Sequence, residues 1–257
     1  MEHDAFLLEV ADGLGILRIN RPDKLNALTA DMVDTLADLC RDVERRDDIG
    51  VLILTGSGKA FCAGGDFDAW SSESPAAFAR HWVRNGHDAF DRLARLRQPV
   101  IAVLNGHALG GGLELAACAD YRIAETHIKI GQPEAGLGMI AGWSGTQRTV
   151  RRFGAQIVRR MAVLGEVLTA SDACNAGVVD QVADTGAGLD AAKDIANRIL
   201  SRGPLATELS KMLINAAEGE DAGRVLESLA GRISAGSDEL VEGLAAFRAK
   251  RPANFRG

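Results

Sequence analysis

Two glutamates, each beside glycine-rich backbone, carry the chemistry that these 257 residues can do. Glu114 lies three residues past Gly111 in the run NGHALGGGLELAACAD, residues 105–120. The apolar residues 100–104 that lead into it read as a buried strand. Gly110, Gly111 and Gly112 follow, and then a helix-forming run over 113–119. The first N–H groups of a helix have no intrahelical acceptor, so this junction sets a donor for an anionic oxygen beside a carboxylate that could move a proton. A tight glycine turn with Glu114 merely favouring the helix start is the alternative use of the same residues. FCAGGD, residues 61–66, also follows a short strand and offers Gly65 as a second backbone donor. Glu134, in the loop Gly131-Gln132-Pro133-Glu134, is the second carboxylate. Lys24, in RPDKLNALT (residues 21–29), could meet a phosphate.

Other chemistries are disfavoured. The formal charge of −6 with no basic block argues against nucleic acid as the main partner. No apolar run reaches the roughly 20 residues a membrane helix needs. The first ten residues enter strand-like alternation at once, so no targeting peptide is expected, and a cytoplasmic location is. Cys40, Cys62, Cys118 and Cys174 are scattered without a CxxC pair, which predicts reduced thiols and no metal site. The five histidines form no ligand spacing. Gly136 to Ala141 fits G-x-G-x-x-A but does not directly follow a strand, and Thr146 replaces the last glycine of G-x-S-x-G after Gly142.

The elements that must hold the site alternate. Residues 5–10 and 15–20 read as strands joined by an Asp12-Gly13 turn. Thr29 is placed to cap a helix with Met32, Leu36, Leu39 and Val43 on one stripe. Residues 51–54 form a buried strand, and 75–96 a helix turning Phe78, Trp82, Phe90 and Leu93 inward. Strands follow at 121–124, 127–130 and 178–182, with short helices at 144–153, 155–164 and 169–176. From Leu189 every periodic segment is helical. The pattern is α/β. It divides into a core of residues 1–194 holding the site and a helical C-terminal region of residues 195–257.

The ordered set of motifs resembles the crotonase, or enoyl-coenzyme A hydratase/isomerase, superfamily over nearly the whole chain. It runs through Asn20-Arg21-Pro22, Asn26-Ala27-Leu28, FCAGGD, NGHALGGGLELA, Gly131-Gln132-Pro133-Glu134 and Gly145-Thr146-Gln147-Arg148, and ends in Glu242-Gly243 and Lys250-Arg251-Pro252. The resemblance implies a spiral of ββα units closed by a helical region used in trimer formation. It implies Gly65 and Gly111 as oxyanion donors and Glu114 and Glu134 as catalytic carboxylates, at the 20-residue spacing that hydratases of the family show. Contacts to the acyl-CoA ligand are implied at Lys24, Leu25, Ala27, Ala63, Asp66 and Phe67, with Trp143 expected near the acyl group. No metal or redox cofactor is implied; coenzyme A enters as part of the substrate.

The expectation is therefore an enoyl-CoA hydratase, assembled as a homotrimer or hexamer. The alternatives are another reaction of the family, such as double-bond isomerisation or acyl-CoA hydrolysis, and a non-catalytic binder of acyl-CoA or RNA. The chain departs from the family in Met139 to Ser144 (MIAGWS), where Ala141 replaces a common proline and Trp143 a small residue. Trp143 has two readings, a wall of the acyl pocket or ordinary core. The stretch from Ser71 to Trp82 carries no pattern that assigns it, and both it and Met139 to Ser144 are expected to line the acyl pocket.

Overall fold

The computed structural model describes residues 5–66, 68 and 73–255. Asp12 and Gly13, at φ 52° and 81°, close a two-residue turn between β1 (Phe6–Ala11) and β2 (Leu14–Ile19). Such left-handed turns match the twist of the strands they join. β3 (Val51–Gly56) pairs parallel with β2, and β4 (Val100–Leu104) parallel with β3. β5 (Ala108–Leu109) leaves this sheet, and β6 (Tyr121–Glu125) returns to pair parallel with β4. β7 (Lys129–Gly131) and β8 (Val167–Thr169) join β5 in a small sheet ordered β5-β7-β8. β9 (Gln181–Ala183) completes the larger sheet, ordered β1-β2-β3-β4-β6-β9.

Parallel neighbours need crossovers, and helices supply them. Helix Ala30–Glu44 is capped by Thr29, whose hydroxyl accepts the Met32 N–H at 3.3 Å, and it buries Met32, Leu36, Leu39 and Val43. The next crossover is helical from Pro75 to Ala94, with a π-turn over Phe78–Val83 inside it. β3 and β4 are buried along their whole length because the sheet is covered on both faces. Val51, Ile53, Ile101, Val103 and Ile123 pack with Ala192 and Ala196 of helix Gly188–Leu200. Leu52, Leu54, Ala102 and Leu104 point to the main core with Phe61, Phe90 and Leu113.

Several boundaries differ from the sequence expectation. The focal helix runs over Gly111–Ala116 and stops short of Ala119. Asp120 pulls the chain back to the sheet: its N–H donates to the Val100 carbonyl, and its carboxylate accepts the Val100 N–H, both at 2.8 Å. The helix expected from Ser144 begins at Gly145, with Ser144 left-handed at φ 66°. β5 and β8 were not foreseen, because two or three residues are too short to show a period.

The chain forms two compact units, residues 1–208 and 209–257. Helix Gly188–Leu200, within which the 194/195 division falls, lies in the first. The second holds helices Ala222–Ala235 and Asp238–Arg248, and Arg251 clasps Glu242 there through both guanidinium nitrogens, at 2.7 and 2.9 Å. Among the described residues no helix is long and apolar enough to cross a membrane.

Candidate active site

Two glycine segments distant in sequence touch at the site. Cys62 bridges Ala108, and a side chain on Gly112 would collide with the Cys62 carbonyl oxygen. Gly64, at φ 100°, lies against Gly111: a Cβ on Gly64 would sit 3.2 Å from the Gly111 nitrogen, and one on Gly111 would sit 3.3 Å from the Gly64 α-carbon. Only glycine permits backbones this close. On the other side Leu28 bridges Gly65, donating its N–H to the Gly64 carbonyl and accepting the Asp66 N–H, each at 2.8 Å. Neither the Gly65 nor the Gly111 N–H has an acceptor among the described residues. Gly111 opens its helix, where the fold offers its N–H nothing.

Both glycines, Glu114 and Glu134 line one cavity of about 200 Å³. Glu114 is 3% exposed. Its Oε1 accepts the Trp143 N–H at 2.7 Å and the Gly145 N–H at 2.9 Å. Burial pushes its carboxyl up from 4.5 to about 7; the bonds from Trp143 and Gly145 pull it down, and the Glu134 charge adds to the rise. Glu134 sits in the 3-10 turn Glu134–Leu137 that follows β7 and Pro133. Burial raises its carboxyl as well, and its Oε1 is buried with no hydrogen-bond partner among the described residues. The site therefore brings together two carboxyls that each resist ionisation and two backbone N–H groups without acceptors among the described residues.

Trp143 is both part of the core and a wall of the cavity. It is 3% exposed and belongs to the main core, with ring centroids 4.9 Å from Trp82 and 5.1 Å from Phe90. It also lines the cavity, its benzo edge 3.4 Å from a Cβ placed on Gly65 and 3.0 Å from one placed on Gly111. Its Nε1–H donates to the Trp82 carbonyl at 3.0 Å. That carbonyl lies within the π-turn, a distortion often found at functional sites.

A family model described as enoyl-CoA hydratase/isomerase matches residues 9–257. The chain is 39% identical over 258 residues to a crotonyl-CoA hydratase of Syntrophomonas wolfei, covering 99% of each chain. It is 38% identical over 216 residues to a short-chain-enoyl-CoA hydratase of Clostridium acetobutylicum, covering 84% of this chain and 82% of that one. Its fold is similar to that of an enoyl-CoA hydratase from Bacillus anthracis, with a TM-score of 0.81 and 31% identity over 98% of this chain and 99% of that one. The chain belongs to the enoyl-CoA hydratase/isomerase family. Its parallel-rich α/β core followed by C-terminal helices is the crotonase fold.

Of the other residues that the family resemblance singled out, Ala63 and Trp143 line the cavity, whereas Lys24, Leu25, Ala27 and Asp66 do not. Lys24 is exposed, 3.9 Å from Asp68. Leu25, at φ 51°, accepts the Ala63 N–H on its carbonyl. Asp66 is tied to Arg21 at 2.6 Å; that bond holds its carboxyl below the usual range, and the same guanidinium donates to the Ala27 carbonyl at 3.0 Å. Phe67 falls outside the described residues, as does part of the stretch from Ser71 to Trp82. Sequence reasoning turns Trp82 inward and assigns the stretch from Ser71 to Trp82 to the acyl pocket; Phe78 and Trp82 of that stretch line the cavity. Met139 to Ser144 is assigned to the same pocket, and Met139, Ile140, Gly142 and Trp143 line the cavity, whereas Val83 and Leu137 were not foreseen. The signal available for these two was their nearness in sequence to Trp82 and Glu134.

Proposed function

We propose that this protein is an enoyl-CoA hydratase, adding water reversibly and in syn fashion to a 2-enoyl-CoA thioester to give a 3-hydroxyacyl-CoA. One observation carries the reading: a buried Glu114 and a half-buried Glu134, both with raised pKa values, face one cavity, and two glycine N–H groups with no acceptor among the described residues stand in its wall.

Water adds poorly to an isolated alkene, but conjugation lets a thioester carbonyl take up charge as an enolate. Gly65 and Gly111 N–H would hold that oxygen, and losing one such donor typically costs about 2.7–4 kcal/mol. Glu114 has Oε1 committed to the backbone, so water would meet Oε2. It accepts the water proton while oxygen bonds to Cβ, and Glu134, protonated, delivers a proton to Cα. In reverse the roles exchange. The two carboxyls interact, so they titrate as a pair. No metal or redox group takes part in this scheme. Isomerisation needs one carboxylate as proton shuttle, and a second glutamate on the same cavity favours hydration.

The acyl group fits against Trp143 and Trp82, whose packed rings close the space beside the two glycines. Together with the short-chain hydratases among its relatives, this supports a short-chain 2-enoyl thioester as substrate. The coenzyme A moiety is proposed to follow Lys24, Leu25, Ala27 and Ala63, a loop stitched to the glycine segment by the Leu28–Gly65 bridge. Asp66 would serve by holding Arg21 against that loop. A homotrimer or hexamer is proposed through the C-terminal helices, which expose Ile233, Val241 and Phe247. Purified protein offered 2-enoyl-CoA thioesters of increasing length tests the reading. Loss of the conjugated absorbance should be fastest with the shortest, and no loss with any of them rejects hydration.

A further inference from the structure

Asp91 takes no part in the scheme above, yet it anchors the segment that clamps Glu114. It lies on helix Arg84–Ala94. Its Oδ1 accepts the Ser144 hydroxyl at 3.2 Å and Arg148 Nη2 at 2.5 Å. Its Oδ2 stands 3.0 Å from Arg95 Nη2. Ser144 and Arg148 flank Gly145, whose N–H is one of the two bonds on Glu114 Oε1; the other comes from Trp143, next to Ser144.

Two features of this turn need an outside anchor. Ser144 is left-handed, at φ 66° and ψ 11°, which is uncommon for a residue other than glycine, asparagine or aspartate. It stands at the start of helix Gly145–Phe153, where a serine hydroxyl ordinarily caps a backbone N–H, yet it makes no cap and turns to Asp91 instead. Arg148, one turn into that helix and 1% exposed, is a buried cation held by the same carboxylate. There is no slack between the turn and its client, since a side chain on Gly145 would collide with the Glu114 carboxylate.

We propose that Asp91 is a positioning residue for hydration: through Ser144 and Arg148 it fixes the turn whose Trp143 and Gly145 N–H groups aim the Glu114 carboxylate. The proposal rests on the hydratase reading for its effect on rate, but not for its effect on Glu114 itself. Bonds from N–H groups favour the ionised carboxylate, so loosening them raises the pH at which Glu114 titrates. The other titratable groups facing Glu114 are Glu134 across the cavity and the Cys62 thiol, which burial pushes up to about 12. Around Asp91 they are His87, Arg95 and Arg148. The substitutions below change none of these except Asp91.

The test uses Asp91→Asn, which keeps shape and loses charge, and Ser144→Gly, which spares the ion pair, removes the hydroxyl and suits the left-handed backbone. Each is measured for kcat and KM on a short 2-enoyl-CoA, for the pH profile of kcat/KM, for melting temperature, and for the carboxyl 13C titration of Glu114 assigned by its absence in Glu114→Gln. In Asp91→Asn, kcat should fall about 10- to 100-fold, as expected for a displacement of up to about 1 Å, with KM little changed. The acid limb and the Glu114 midpoint should both move up. Ser144→Gly should move the same readouts in the same direction by less, and it stands alone if Asp91→Asn does not fold. A lower melting temperature with kcat, profile and midpoint unchanged reduces Asp91 to a staple between two helices and overturns the proposal. A wild-type protein without hydration activity sinks the hydratase reading instead, while the 13C midpoints still decide whether Asp91 positions Glu114.

Discussion

Replacing Glu114 by glutamine should make the folded protein more stable at alkaline pH while abolishing its proposed chemistry. The carboxyl is buried and its pKa stands at about 7 against an ordinary 4.5. For an acid raised on folding, the protonated form fits the fold best. Its contribution is fully present below the unfolded value, is lost as pH climbs towards 7, and is gone above that. The rise corresponds to a destabilisation on the order of 3 kcal/mol once the group is ionised. Glutamine keeps the shape, stays neutral, and leaves an amide oxygen to accept the Trp143 and Gly145 N–H groups. At pH 8 the variant should therefore melt roughly 6–12 °C above the parent, at about 2–4 °C per kcal/mol for a chain of this size. About three quarters of that gain should vanish by pH 5, where the parent carboxyl is already protonated in the fold. Calorimetry of both proteins from pH 5 to 9, with hydration assayed alongside, reads the two effects together. Glu134 titrates in both proteins, and because the two carboxyls interact the difference reads Glu114 together with its influence on Glu134. A gain that does not vary with pH, or a variant less stable at pH 8, would refute the argument that burial governs this carboxyl.

Three further outcomes are expected. Glu134→Gln should fold and bind a 3-hydroxyacyl-CoA but lose about 10²- to 10⁴-fold in kcat, the usual worth of a positioned acid or base; near-parental turnover contradicts the two-carboxyl scheme. Trp143→Ala should do two things at once, since the indole is both core and wall: stability should drop by about 3–5 kcal/mol, and preference should shift to longer or branched acyl groups by about 1–3 kcal/mol per methylene. An unchanged order of kcat/KM across short and long thioesters would remove Trp143 from the acyl site. Sedimentation at micromolar concentration should give a trimer or a pair of trimers, and a monomer would contradict the assembly drawn from the C-terminal helices.

What the sequence disclosed and what it hid follow from the range of each signal. Asp12-Gly13, the Thr29 cap and the stripe from Met32 to Val43 act over a few residues, and all three took the expected form. Glu114 and the glycines were visible because a strand, a tight turn and a helix start are contiguous. Asp91 was invisible: in RNGHDAFDRLA it is one charge among several, and its partners Ser144 and Arg148 lie more than fifty residues on. Ser144 read only as the first residue of a helix, and its longer-range bond to Asp91 left no local sign. Asp66 was singled out only through the family resemblance, and nothing local showed that Arg21, 45 residues upstream, holds its carboxylate. Trp143 posed a choice that the fold does not require, because an indole is wide enough to pack Trp82 and Phe90 while its benzo edge meets Gly65 and Gly111. The two glutamates and two glycines that share the cavity were thus legible from local backbone chemistry and the family resemblance. The groups that aim them were not, because a charge gives no local sign of the distant residue it will hold.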